Sequence, residues 1–563
     1  MSHDRYLMRA AEPRAHGQTP VGGRTMKLVT LVLMLMLVGP VETALAQKSA
    51  EGLGAPLAEQ ATAPQESATT QTARLTLDEA VSRALENNLD IAVQRLNPQI
   101  ADLDVASAHA AFLPTFDSTI GTTSRVQPST TQLDGGQRVV VDTATYNAGL
   151  TKALEWGGAS IDASWSNNRN ATTSIFSSFN PSYRSNFDFI YTQPLLRGFK
   201  IDSNRQRLQV TRLSRELSDI DLRRMVTNTE AAVRSAYWDL VIASEAIAVQ
   251  QQFVELAEDL ITDNQARVEL GTLAPIDIIQ SQAEAAQRRQ VLTEALQVRR
   301  TAELILKRLL VSGTDDVLWE AEVVPVDRPR FDASPVDIEA AIRAALAQRT
   351  DIARSRRQLD INDINLRAAR DTTLPALDLR ASYTLQGLGG TQFVRSGLGG
   401  EVGSILSGGY VDSLNQLIGN DYPAWNVSMT LSYPLGQSAA ETSYARAQIQ
   451  AKQTQAQIEQ MELQIATEVT NAGLQIQSSL RRIEAATAAR ELARQRLDAE
   501  QSKFEVGAST NFFVVQAQRD LADAQRAELQ AILDHQKSRI EFDRSQQTSL
   551  AQGSIIIVSG GGN

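Results

Sequence analysis

LTLDEAVSRALENNLDIAVQR, residues 75–95, is written a second time as VDIEAAIRAALAQRTDIARSR, residues 336–356. At an offset of 261 positions, Leu77 meets Ile338, Asp78 meets Glu339, Ala80 meets Ala341, Leu85 meets Leu346, Asp90 meets Asp351, Ile91 meets Ile352 and Arg95 meets Arg356. The register holds as far as Leu113 and Pro114 against Leu374 and Pro375. A repeat that keeps register this long makes the chain an internal duplication, and each later segment is read as one of a pair.

After each Leu-Pro the apolar period changes from helical to two. In ALDLRASYTLQ (376–386), Leu377, Leu379, Ala381, Tyr383 and Leu385 alternate with Asp378, Arg380, Ser382, Thr384 and Gln386. WNVSMTLSYPL (425–435) alternates in the same way, as do NFDFIYTQPLL (186–196) and, less regularly, LPTFDSTIGTT (113–123). Such stretches are strands with one apolar and one polar face. The Gly- and Ser-rich stretch 387–409 reads as a loop. The first half carries an extra stretch within 115–193, where TYNAGLTKALEWGGASIDASW (145–165) alternates around Gly157 and Gly158. A hairpin projecting from the sheet and an enlargement of the sheet both fit that pattern.

Long helical tracts follow the strands. Residues 199–270 contain no Gly or Pro, and 437–506 contain only Gly473. Each would be roughly 105 Å long as one helix. Met461, Ile465, Val469, Ala472, Ile476, Leu480 and Ile483 step close to the natural helical period, which favours side-by-side packing with little supercoiling. Each long tract ends at a glycine in related surroundings, RVELGTLAPIDIIQ (267–280) and KFEVGASTNFFVVQ (503–516). Tracts 276–311, 76–111 and 336–371 are each 36 residues, so two laid end to end match one long helix. The long helices therefore run from the strands to a distant tip. The chain turns at Gly271, climbs halfway, crosses at mid-height, and repeats the path to turn again at Gly507.

Composition narrows the function. The 563-residue chain carries a net charge of −11, which disfavours a nucleic-acid partner, and it has no cysteine. Two of its four histidines, His3 and His16, precede an apolar run, Leu28–Val38, which has Arg24 and Lys27 before it and Ala44 and Ala46 after it. This is the layout of a secretory signal, with cleavage expected after Ala46 and Met26 as an alternative start. His109 and His535 fall in helical tracts without metal-ligand spacing, and no triad or phosphate loop is present. Neither catalysis nor a cofactor is expected. Strands with one apolar and one polar face, in an exported chain, suit an outer-membrane barrel. Two hairpins give four strands, too few to close alone, so several chains must share the barrel.

The expected organisation is a leader with signal peptide over 1–46, a disordered linker over 47–73 and a first repeat over 74–311. A mid-height linker over 312–335, a second repeat over 336–551 and a flexible tail over 552–563 follow. Over 75–550 the sequence strongly resembles the TolC family of outer-membrane efflux proteins. The resemblance rests on LTLDEAVSRALENNLDI, both Leu-Pro junctions, QPLLRGF (193–199), AYWDLVIA (236–243) and the paired glycine tips. It implies an α+β membrane protein: a homotrimer whose long α-helical coiled-coil barrel crosses the periplasm below a twelve-stranded β-barrel in outer-membrane lipid. It also implies a periplasmic adaptor gripping the tips, an inner-membrane transporter, and export of small toxic molecules or proteins.

By that resemblance, Leu270, Gly271, Thr272 and Leu273, with Val506, Gly507, Ala508 and Ser509, form the adaptor-contacting tips. Asp277 retains one gate carboxylate of the family. Where the family has an arginine, two aspartates and a tyrosine, this chain has Ser509, Phe513, Gln516 and Phe504, so an Arg–Asp gate lock and an acidic entrance ring are not expected. Packing of Phe504, Phe512 and Phe513 is the expected closure. A periplasmic coiled-coil spacer or adhesin is the competing function, distinguished by its lack of need for two-faced strands placed twice between helices.

Overall fold

The structure, a computed structural model, describes residues 72–129, 138–329, 336–397, 400–436 and 438–547. The expected leader, the linker as far as residue 71, and the tail lie outside the described residues. Residues 72 and 73 of that linker are already ordered in strand β1 (Thr72–Leu75), which pairs in parallel with β6 (Glu322–Pro325). The mid-height linker likewise contains structure: a short helix α5 (Val317–Glu320) and then β6. Leu75 and Val323 anchor this ribbon in a core formed with Leu240, Leu306 and Leu310.

The 36-residue tract before each Leu-Pro is two helices rather than one. In the first half these are α1 (Leu77–Asn87) and α2 (Leu89–Ala110), and in the second half α6 (Ile338–Gln348) and α7 (Thr350–Thr372). Asn88 and Arg349, which the repeat offset brings into correspondence, adopt extended backbone at the breaks (ψ 124° and 131°). Side-chain hydrogen bonds hold each break open. Asn88 accepts from Ile91 N and donates to Leu309 O, while Arg349 bonds the Asp351 and Glu468 carboxylates. Helix α1 starts with a capping box between Thr76 and Glu79.

The long helices are α3 (Ser203–Glu269), capped by Asp202, and α9 (Ala439–Glu505), capped by Ser438. Their return helices are α4 (Pro275–Leu310) and α10 (Asn511–Gln546). Along α3 the partners change with height: Leu208 packs with Ala108 and Phe112, Val226 with Leu85 and Ile91, and Tyr237 and Leu240 with Ala80 and Leu306. The two short helices thus cover the upper part of α3, and α4 covers the lower part. In α9 the stripe Ile465, Val469, Ala472 and Ile476 is buried against Ala341, Ala345 and Phe542.

At mid-height, charged groups replace part of the core. Glu303 and Lys307, with fully buried side chains, are 2.9 Å apart. Glu303 also accepts from Val323 N, and Lys307 donates to Trp319 O. Burial pushes the Glu303 carboxyl up, but Lys307, the Val323 N–H and Arg300 together hold it below the ordinary range. Beside it, Tyr237 OH donates to Asp327 (2.7 Å), and burial pushes its phenol up to about 12.

The strand region is one sheet built from β2 (Thr115–Pro128), β3 (Arg138–Ala153), β4 (Ser160–Thr172), β5 (Phe179–Pro194), β7 (Ala376–Arg395), β8 (Val402–Leu406) and β9 (Tyr422–Ser432). Its order is β2-β3-β4-β5-β7, with β8 and β9 both antiparallel to β7 on its second edge. The extra stretch of the first half therefore enlarges the sheet, and among the described residues the long strands number six rather than four. Residues 387–409 are not simply a loop. They complete β7, form β8 and lead into helix α8 (Tyr410–Ile418), which interrupts the column shared by β8 and β9. Helix α8 lies directly on the sheet, where a Cβ at Gly387 would come 1.9 Å from the Ser413 carbonyl oxygen; no larger residue fits there. Among the described residues no helix is long and apolar enough to cross a membrane.

Candidate functional site

The two glycine turns are built alike and sit side by side. At the end of α3, Gly271 N donates to Val268 O and Thr272 N to Arg267 O. At the end of α9, Gly507 N donates to Phe504 O and Ala508 N to Lys503 O. Both are Schellman motifs, which need a left-handed residue just past the helix, and the glycines supply φ of 73° and 76°. Pro275 then starts α4 at a position where its missing N–H is harmless. Leu270 and Val506 are nearly four-fifths exposed, and Thr272, Gly271, Gly507 and Ala508 are exposed beside them; Leu273 and Ser509 are half-buried. Ser509 donates to Glu500 (2.7 Å), and Lys503 and Ser509 hold that carboxyl below its ordinary range.

A buried polar node joins the tips. Asn264 of α3 donates to Ser281 of α4 (2.6 Å) and to Asn511 of α10 (2.9 Å), while Asn511 and Ser281 donate to the Asp277 carbonyl oxygen (3.3 and 3.0 Å). All three side chains are fully buried, and these bonds pair polar groups that would otherwise be costly there, while Asn264 Oδ1 is left without a partner among the described residues. Arg267 lies 4.5 Å above the Phe504 ring and donates to its carbonyl oxygen. Higher up, the buried Glu284 carboxylate takes both Arg288 (2.7 Å) and, across the hairpins, Arg519 (2.6 Å). Sequence reasoning did not single out Asn264, Ser281, Asn511, Arg267, Glu284, Arg288 or Arg519. Their signal was available: polar residues at core-facing helical positions close to both glycines.

The expected gate residues are divided by the structure. Phe504 is buried in its own chain among Phe253, Leu260, Leu497 and Val514. Phe512 and Phe513 are more than half exposed and meet edge to face at 5.6 Å between ring centres. Asp277 is half-buried in the first turn of α4, and Gln516 donates to Asp520.

The other end of the molecule is the two-faced sheet. Phe116, Leu150, Ala163, Phe189, Tyr383 and Trp425 oppose one another in a single row across six strands. One residue along, on the other face, Asp117, Gly149, Ser164, Asp188, Thr384 and Ala424 form a row, and Thr384 donates to Asp188 (2.7 Å). Cross-strand neighbours share a face, so the alternation continues around the whole sheet. The apolar row is open to its surroundings: Phe116 is 70% and Trp425 76% exposed. His109 faces Glu155 and His535 faces Ser479, and among the described residues no group of three metal-ligating side chains is assembled.

Outer membrane efflux proteins, as a family, match residues 80–311 and 341–545. Among solved structures, the CmeC outer membrane channel of Campylobacter jejuni is 14% identical with a TM-score of 0.61, covering 88% of this chain and 94% of that one. The VceC outer membrane protein of Vibrio cholerae is 13% identical with a TM-score of 0.59, covering 84% and 95%. The open-state MtrE outer membrane channel of Neisseria gonorrhoeae is 16% identical with a TM-score of 0.56, covering 84% and 88%. At such identities the likeness is one of fold. No curated protein matches the sequence.

Proposed function

The chain belongs to the outer membrane efflux protein family, and from that premise we propose how its two ends divide the work of a channel. It is a transport protein rather than an enzyme, placed in the outer membrane with its helices in the periplasm. The sheet takes the membrane: its apolar row faces lipid, and the Asp-, Thr- and Ser-bearing face lines a wet passage for small toxic molecules or secreted proteins. The carrying observation is that both Schellman tips meet at the end of the helices farthest from the sheet, where Asn264 bonds Asn511. A docking surface at that end suits a periplasmic adaptor, which in turn brings an inner-membrane transporter. Leu270, Gly271, Thr272 and Leu273, with Val506, Gly507, Ala508 and Ser509, are its contacts; exposed Leu270 and Val506 supply the apolar part.

A sheet with two open edges cannot stand in lipid by itself, so several copies must close it, and the working unit is the homotrimer that the family resemblance implies. At the entrance, Phe512 and Phe513 close the passage by apolar packing between copies, with Asp277 and Gln516 beside them. Single-channel recording of purified residues 47–563 in a planar bilayer tests this reading. Discrete conductance steps from a detergent-extracted oligomer are expected, and Phe513→Asp should raise the closed-state conductance. A protein that stays in solution without detergent and never conducts would instead return the chain to the periplasmic spacer.

A further inference from the structure

Six long strands per copy, rather than the four of two hairpins, change what the copies build together. Resting on the trimer proposed above, we infer that three copies join edge to edge into an eighteen-stranded barrel, β2 of each copy pairing with β9 of the next.

Four observations carry it. First, β2, β3, β4, β5, β7 and β9 run from 11 to 20 residues, each at least the roughly 9–11 needed to cross the hydrocarbon layer, whereas β8 has 5. Second, the register across β2, β3 and β4 is unbroken from Thr115 to Pro128 and from Val141 to Ala153. The extra hairpin is therefore wall, continuous with the rest, rather than an appendage. Third, six strands alternating in direction leave the two edges antiparallel: β2 leads away from α2, and β9 returns toward α9. Any even number of strands gives this, so the added pair preserved the geometry by which copies join. Fourth, β2 and β9 are exposed almost throughout, while β3, β4, β5 and β7 are largely half-buried between neighbours. Phe116 and Ile120 on β2 carry the apolar row on the same face as Val427 and Met429 on β9, so pairing the edges extends both faces without a seam.

A barrel's diameter grows roughly in proportion to its strand number, so this one would be about half as wide again as a twelve-stranded barrel. At that size a barrel holds an aqueous channel rather than a side-chain-filled core.

The absence of cysteine gives a clean test. Val427→Cys is combined in turn with Phe116→Cys, Ser118→Cys, Ile120→Cys and Thr122→Cys to span the possible registers, and with Ala163→Cys on β4 as the competing edge. The full-length chain is oxidised in membranes, and native mass spectrometry of the extracted protein counts copies independently. The inference expects three copies per particle and at least one β2–β9 pair locking them into a covalent trimer, with the β4–β9 pair unlinked. Three copies with β4–β9 linkage, or with no β2–β9 linkage at any register, would overturn the eighteen-stranded wall while leaving the trimer standing. A copy number other than three would overturn the trimer itself.

Discussion

In the helical part the two halves agree to within a residue: α3 and α9 are both 67 residues, α4 and α10 both 36, α1 and α6 both 11. In the sheet they part company, the first half supplying four long strands and the second two. The contrast follows from what each element must reach. A helix that starts at the sheet and ends at a shared tip has its length set by its partner, because Asn264 must meet Asn511 and Arg267 must meet Phe504. A strand pair inserted in a sheet needs only its neighbours' register, and it returns the chain to the level it left. Length is fixed where two halves must meet, and number is free where units are added in pairs.

The severest way to break the comparison is to lengthen one helix alone. An insertion of about seven residues, two helical turns, into α3 near Gln251 moves its tip by roughly 10 Å. Complete loss of assembled, conducting protein is expected, with recovery when α4, α9 and α10 are lengthened to match; native mass and bilayer conductance report both. If the unmatched insertion assembles normally, helix length is not set by the partner.

Next comes the mid-height charge pair. Lys307→Met removes the buried countercharge of Glu303, leaving it only the exposed Arg300, and should cost up to about 3–5 kcal/mol, read as a fall in Tm, while adding Glu303→Leu should restore most of it. The sign with pH follows from the depressed carboxyl. Its stabilisation is present above the ordinary carboxylate range and is lost as pH falls through the lowered folded value. The double variant should lack that acid-side loss. A smaller effect is expected at the tips: Asn264→Ala strips partners from Ser281 and Asn511, for about 1–3 kcal/mol. Hydrogen exchange should rise around 260–285 and 505–515 and stay unchanged in the sheet. The smallest effect is the sharpest comparison. Gly271→Ala and Gly507→Ala each force a side chain into left-handed backbone for about 1–2 kcal/mol, and their melting shifts should be equal if the two turns are equivalent.

The helices were legible because two signals agreed: a repeat that fixed correspondences, and a period that persisted over some seventy residues. The breaks at Asn88 and Arg349 escaped because each is a single extended residue held by tertiary hydrogen bonds to Leu309 or Glu468, partners that periodicity does not reveal. Strands were found where apolar and polar residues alternated strictly, as at 376–386. They were undercounted where small polar residues dominate, as in SIDASWSNNRNAT, whose pairing partners decide its fate. At the tips, glycine announced the turns, but the Asn264–Ser281–Asn511 node depends on three helices arriving together. Phe504 illustrates a related point: sequence marks an aromatic near a turn without saying that it packs into its own chain, as this one does.

The β1–β6 ribbon has a consequence for the order of folding. Thr72 pairs with Glu322 and Leu77 N bonds Asp327, 250 positions downstream. Loop closure over that span is entropically unfavourable and must precede the contact. A chain delivered amino end first therefore holds β1 idle until the whole first repeat has followed it. Closing the ribbon therefore requires every residue from 72 to 327 to have arrived.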